Sequence, residues 1–312
     1  MISVLMTTYH EPEHILRQAI ESILNQTYRD IEYIIVADDP DNRTHHDVIS
    51  EYADRDGRII PVFNEVNLQQ SRSLNKALGF AHGEYIARMD ADDISLPDRL
   101  EKQLAYLQKN NLDLVGGILN VIAADGTPVY RIRSVPEKQS LIRFGLGFGM
   151  CLAHPSWLGR KAMFDDLGGY RIDVSAQDYD FLLRAALHGY KLGNVNIPVL
   201  QYRLSPDSVS RLNLYRQYLT MLYLSNQYRQ GKEADFRELE AYTGRRFSAK
   251  KAAAYVHAEE IFYGSLHKVT ERKYLSAFLH LAEIPFVSPA YVNKIFRFAV
   301  LCLLALPKEK QS

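Results

Sequence analysis

Three carboxylates stand close together in GEYIARMDADDISLPDRL, residues 83–100: Asp90, Asp92 and Asp93. An apolar, strand-like run over 84–89 leads straight into them. Carboxylate oxygens are the hard ligands that Mg2+ and Mn2+ prefer, and these ions keep several coordination positions for water and substrate phosphates. A Mn2+ or Mg2+ ion bridging a bound diphosphate is the chemistry such a turn suits. The plainer reading is that Asp-Ala-Asp-Asp before Ile94 and Pro97 ends a strand and caps the next helix, because Asp is a common turn and N-cap residue. Repetition weighs against it: apolar strand followed by acidic turn also occurs over 31–39, ending in Asp38 and Asp39.

The elements that must position these acids alternate along the first half of the chain. A strand over 2–6 is followed by Pro12, suited to a first helical position. Ile15, Leu16, Ala19, Ile20, Ile23 and Leu24 then recur at helical spacing. A continuous apolar strand over 31–37, a helix over 44–53, a strand over 59–63, a helix over 68–81 and the strand over 84–89 complete the series. Short apolar strands alternating with amphipathic helices predict an α/β fold, its mostly parallel central sheet covered by helices on both faces. Ligands on such sheets bind beyond the carboxyl ends of the strands, where all five acids fall, so the two acidic turns are expected to share one crevice.

Composition narrows the function classes. The chain has 312 residues, 47% hydrophobic and 24% charged, enough to bury a large core. Lys+Arg and Asp+Glu balance at 37 each, so no global basic field favours nucleic acid, which is not an expected partner. Cys151 and Cys302 are far apart and fit neither a zinc site nor a disulfide framework. A reducing cytoplasm suits them. The N-terminus enters a strand without a basic region, long apolar stretch or cleavage site, so no secretory signal is expected.

After about Asp207 the sequence becomes rich in Tyr, Leu and charge and favours helix, without further strand-and-acid patterns. A domain of residues 1–210 followed by a helical region of residues 211–312 is the expected organisation. Near the C-terminus an apolar run over 295–306 spans about a dozen residues, short of the roughly twenty that cross a bilayer as a helix, and Arg297 interrupts it. Two outcomes are open: a helix docked on the protein's own core, or an interfacial membrane anchor helped by Lys294 and Arg297, which would place the protein on the inner face of the cytoplasmic membrane.

Five motifs, taken together, resemble the glycosyltransferase family 2 enzymes of the GT-A nucleotide-sugar-binding fold. They are Val4-Leu-Met-Thr7-Thr8-Tyr9, Ser22-Ile-Leu-Asn25-Gln26-Thr27-Tyr28, Ile35-Val-Ala-Asp38-Asp39, Arg88-Met-Asp90-Ala-Asp92-Asp93 and Gln177-Asp178-Tyr179-Asp180. Each is short, but their order and spacing are specific. The resemblance covers roughly residues 1 to 210 and is strongest to bacterial enzymes that build capsule, exopolysaccharide or O-antigen units.

The resemblance implies a role for each matched residue. Asp92 is the principal metal ligand; Asp90 supports the metal or the ribose, and Asp93 orients the site or contacts the acceptor. Thr7, Tyr9 and Asp38 hold the nucleoside, with Asp39 sharing the task. A carboxylate there can accept the ring N–H of uracil, which favours a UDP-sugar donor. Asp178 is the general base that takes the acceptor proton, and Gln177 stands where the family has Glu. One base and direct displacement imply inversion at the anomeric carbon. His154, before Pro155, is expected near the acceptor, a saccharide carried on a lipid. Arg203 after Tyr202 is expected to meet a phosphate, and Arg72 the nucleotide, although Leu74 replaces the Arg that usually precedes Asn75. Ser205 stands where many relatives have a His, so water or substrate oxygens are expected to complete the metal shell.

Two other functions fit these residues less well. A nucleotidyltransferase of similar architecture would show a Gly-rich basic loop after the first strand, and Thr7-Thr-Tyr-His-Glu-Pro12 has neither property. A catalytically dead scaffold that binds nucleotide-sugar would have no need of Asp178 beside Asp92.

Overall fold

The computed structural model describes residues 1–172, 174–204 and 213–306. Ser205 and the boundary expected at residue 210 lie outside them. The first half follows the alternation in the sequence: β1 (Ile2–Thr8), α1 (Glu13–Leu24), β2 (Ile31–Ala37), α2 (Arg43–Arg55), β3 (Ile59–Phe63), α3 (Gln69–Phe80) and β4 (Tyr85–Asp90). Pro12 is the N-cap of α1, one residue before the position expected for it. Its fixed φ suits that extended entry too, and it has no N–H to leave unpaired. β2 is buried along its whole length, as its unbroken apolar run requires in a sheet covered on both faces.

β3, β2, β1 and β4 pair in parallel, Thr7 lying between Val36 on one side and Asp90 on the other. The sheet then continues through residues the sequence reading left unassigned. After β5 (Ile94–Ser95) and α4 (Arg99–Lys109) come β6 (Leu114–Ile122), β7 (Pro128–Arg131), α5 (Gln139–Gly145), β8 (Leu158–Arg160), α6 (Lys161–Asp166), α7 (Gln177–Leu187) and β9 (Leu192–Arg203). Strand order is β3-β2-β1-β4-β8-β6-β9-β5, with β7 hanging on β6. β8 runs antiparallel to both neighbours, whereas β6 and β9 are parallel to each other. The sheet is therefore mixed but mostly parallel.

Two apolar layers hold it. Leu16, Ile20 and Ile49 pack one face, and Leu74, Trp157, Phe181 and Leu182 the other. The second layer also takes Tyr223, Leu224 and Leu239 from the C-terminal helices, so those helices finish the core of the sheet domain. Further along, Tyr215, Tyr255, Ile261 and Tyr291 form a smaller core of their own.

The final helix, Pro289–Leu304, satisfies one expected outcome on one face and leaves the other open on its opposite face. Tyr291 and Arg297 are buried, Arg297 donating to Ser225 Oγ at 2.9 Å, while Phe296, Phe298 and Leu303 are exposed. Lys294 is paired with Glu259 at 2.6 Å. The two cations expected to assist an anchor therefore serve internal contacts. No single helix among the described residues is long and apolar enough to cross a membrane, but Tyr274–Val287 and Pro289–Leu304 form an apolar pair bent by 120°.

Candidate active site

β1, β2 and β4 all end at the same edge of the sheet, and this brings together two acidic turns, Asp38-Asp39 and Asp90 to Asp93, that are 51 to 55 positions apart in the chain. Asp90, Asp92 and Asp93 each offer a carboxylate oxygen within 4.8 Å of the other two. The turn is held from several directions. Asp93 is fully buried and accepts the backbone N–H of Arg203 at 2.9 Å through Oδ1. Its Oδ2 is buried with no partner. A buried, unpaired carboxylate oxygen beside two more carboxylates is what a divalent cation would satisfy, so the donor set fits one. Burial, then the neighbouring charge of Asp90, pushes Asp92 up to about 7, and the same two causes hold Asp93 well above the usual carboxylate range. The pocket is short of positive charge.

Arg88 supplies some of that charge. It lies in the middle of β4, is almost wholly buried and pairs with Asp90, while its Nε has no partner. A cation inside an otherwise apolar strand was the one sign in the sequence that it had a task. Arg99, also buried, donates to the carbonyls of Arg88 at 2.7 Å and Trp157 at 3.3 Å, and burial lowers it to about 10. Gln26 explains why its motif accompanies the acidic turn. Its amide nitrogen donates to Ser95 Oγ at 3.1 Å and the Leu96 carbonyl at 2.7 Å, and its oxygen accepts the Leu100 N–H at 3.1 Å. One buried side chain thus fixes the loop that follows the carboxylates and satisfies an orphan donor in the first turn of α4.

Arg203 sits differently from its expected phosphate contact. Its guanidinium donates to the Asp92 carbonyl, the Ala124 carbonyl and Gln18 Oε1, each at 2.9 Å. Three of its N–H groups are therefore spent on bracing the acidic turn. Arg203→Met should lower unfolding free energy by about 2–4 kcal/mol, the usual size for losing several hydrogen bonds to a buried charge. Urea denaturation of both proteins checks this.

Asp38 and Asp39 have separate jobs. Asp38 is buried and its Oδ1 accepts from Asn64 Nδ2 at 2.6 Å and the Leu68 N–H at 2.8 Å, which ties the end of β2 to the start of α3. Asp39 is more open; Oδ1 accepts the Asp41 N–H and Oδ2 lies 3.4 Å from His10. Tyr9 is exposed beside it, its ring 3.8 Å from that of His10. Of the expected nucleoside contacts, Asp39 and Tyr9 keep the more accessible surfaces. Arg72 is half-buried on α3, and Asn75 on the same helix exchanges hydrogen bonds at 2.7 and 2.8 Å with the backbone of Tyr170.

That clamp fixes Tyr170. Tyr170 Oη meets His154 Nε2 at 2.9 Å, and burial keeps His154 neutral by lowering it well below its ordinary value. Its contacts are those of a buried hydrogen-bonding residue. Asp178 opens α7, accepts the Tyr179 N–H at 2.8 Å, and is raised by burial to about 6. Gln177 instead reaches Gln70 Oε1 at 2.7 Å. Asp180 is structural: it pairs with Arg184 at 2.9 Å and Arg171 at 3.6 Å.

Residues 3–168 match the model of glycosyl transferase family 2. The chain is 33% identical over 213 residues to the O-antigen biosynthesis glycosyltransferase WbnJ of Escherichia coli, which covers 68% of this chain and 82% of that protein. The crystal structure of S. aureus TarS 1–349 in complex with UDP-GlcNAc superposes with a TM-score of 0.61 at 16% identity, over 95% of this chain and 89% of that one. The mannosyltransferase PcManGT of Pyrobaculum calidifontis, in complex with GDP-Man and Mn2+, gives 0.60 at 17%, over 97% and 85%. At such identities these two likenesses speak for the fold, which is GT-A. With its sheet, its acidic turn and this sequence match in agreement, the chain belongs to glycosyltransferase family 2 and is a glycosyltransferase.

Proposed function

We propose that this enzyme is an inverting, metal-dependent transferase that moves a sugar from a UDP-sugar to a saccharide on a lipid carrier, in the synthesis of a cell-surface polysaccharide. The observation that carries it is the joint placement of Asp90, Asp92 and Asp93 at the end of β4 with a separate, half-buried Asp178 at the start of α7. The O-antigen relative supports the polysaccharide setting, and the UDP-GlcNAc-bound neighbour supports the donor class. Asp92, with Asp90 and Asp93, would hold the Mn2+ or Mg2+, whose charge stabilises a departing diphosphate.

The remaining chemistry belongs to the chain. Tyr9, Asp39 and Asp38, with Thr7 beside Asp90, surround the place for the nucleoside. Arg88 keeps the Asp90 carboxylate oriented. Asp178 takes the proton of the acceptor hydroxyl as its oxygen bonds to the anomeric carbon and the bond to the diphosphate oxygen breaks, leaving UDP and an inverted linkage. Purified protein assayed with Mn2+ against UDP-, GDP- and dTDP-sugars tests this; turnover with a GDP-sugar alone would overturn the uridine assignment.

We also place the enzyme at the inner face of the cytoplasmic membrane. Among described residues, 13 of 24 exposed large apolar side chains lie within residues 263–306, including Leu275 at 73% and Phe286 at 90% exposure. Exposed apolar side chains concentrated in one stretch of chain suit an interaction site, and the basic residues Lys268 and Arg272 in the same stretch suit an anionic surface. Leu275→Ser/Phe278→Ser/Phe286→Ser should cut vesicle binding by on the order of tenfold or more at about 0.8 kcal/mol per buried CH2, with donor hydrolysis intact. Flotation of both proteins reads it.

A further inference from the structure

α5, the end of α7 and the helix Leu214–Arg229 border an open groove of about 430 Å³ whose lining includes Arg143, Arg229, Phe144, Phe148 and Tyr228. The Arg143 guanidinium, half-buried, makes no hydrogen bond or ion pair among the described residues; only its backbone carbonyl is used, accepting from Tyr228 Oη at 3.0 Å. Arg229 hydrogen-bonds the neutral amide of Asn226 and lies 5.9 Å from the centre of the Phe148 ring. Neither meets a carboxylate among the described residues. Buried Arg297 adds positive charge close by, and its charge and that of Arg229 repel each other. In a chain of zero formal net charge, this is a local concentration of positive charge without a carboxylate partner among the described residues.

Guanidinium groups that line one groove without acidic partners suit a phosphate, which they can bind with paired N–H donors. The rim identifies the source of that phosphate. Phe144 is exposed, and Phe148 meets Phe296 edge-on at 6.4 Å. Phe296 belongs to Pro289–Leu304, whose Leu301 and Leu304 cover Gly145. The basic groove thus runs directly into the exposed apolar surface of the C-terminal helices. A soluble phosphate would gain nothing from such a rim, whereas a lipid presents an anionic head and an apolar tail side by side. The proposed general base lies elsewhere: Asp178 is at one end of α7 and Leu187 lines the groove at the other, about 14 Å away at 1.5 Å per residue.

We propose that Arg143 and Arg229 form a binding site for the phosphate headgroup of a membrane lipid, seated where the apolar C-terminal helices meet the bilayer. It rests on the membrane-surface reading above and on no detail of the transfer reaction.

The test is flotation of the full chain with vesicles of phosphatidylcholine alone, or of equal parts phosphatidylcholine and phosphatidylglycerol. The parent should prefer the anionic vesicles, and Arg143→Ala/Arg229→Ala should lose that preference by on the order of tenfold or more while binding neutral vesicles as the parent does. Arg143→Lys/Arg229→Lys should keep most of it. Arg229→Glu alone, at an exposed position, gives the same reading should the double variant unfold. Equal preference in parent and Ala variant overturns the site. So does stabilisation of the parent alone by inorganic diphosphate with unchanged vesicle binding, which would make the ligand a soluble phosphate. A parent that binds no vesicle overturns the membrane reading itself, an outcome distinct from membrane binding that persists without the arginines.

Discussion

Asp92→Ala is expected to reduce metal-dependent donor turnover by at least about 10²–10³-fold, the usual consequence of removing one element of charge stabilisation from a transition state. The fold should survive it. Asp92 is raised to about 7 by burial and by Asp90, so its ionised form is disfavoured in the native state. The sign follows from linkage: a carboxylate whose folded pKa lies above its unfolded value costs stability progressively as pH rises from the unfolded pKa to the folded one, and the cost is complete above both. Without metal at pH 8, the Ala variant should therefore melt no lower than the parent. Thermal melts in EDTA and donor hydrolysis in Mn2+ separate the two effects. Transfer by the variant in EDTA at the parent's rate would remove the metal from the mechanism.

Asp178→Asn should slow transfer by about 10²–10⁴-fold, the range that general-base catalysis contributes, and leave UDP-sugar affinity nearly unchanged. The side chain keeps its shape and loses its capacity to take a proton. Burial raises Asp178 to about 6, so only above that pH is it mostly the carboxylate the reaction needs. The parent's kcat/KM should climb as pH passes about 6 and level off above, and the Asn variant should lack that limb. Calorimetry with the UDP-sugar and product formation with an acceptor measure the two quantities independently. A fall in affinity as large as the fall in rate would make Asp178 a binding residue instead.

Both experiments act on residues that were visible before any fold was known. Hydrophobic period and turn chemistry are local properties, so seven successive elements, from β1 to β4, followed from short stretches of sequence. The acids could be placed at the strand ends for the same reason, and parallel pairing of β1 with β2 and β4 then made one edge of them. The β6–β9 half was not legible in that way. Its longest pairing joins strands separated by about seventy residues, and β6 carries Gly116 and Gly117, which pack against Asn194 and Val199 and blur the apolar pattern.

The sequence by itself determined the family, the α/β alternation and the identity of the acids, because motif order, periodicity and residue chemistry are all written along the chain. Tertiary structure alone decided how those acids are held. Gln26 anchors the loop after the acidic turn, Arg203 braces the turn rather than reaching outward, and Asn75 fixes Tyr170 against His154. It also decided that the last helix buries Arg297 and exposes Phe296. A buried polar group must find its partner wherever the fold brings one, and for Arg203 those partners, at Gln18, Asp92 and Ala124, stand 79 to 185 positions away. No local pattern encodes a separation of that length.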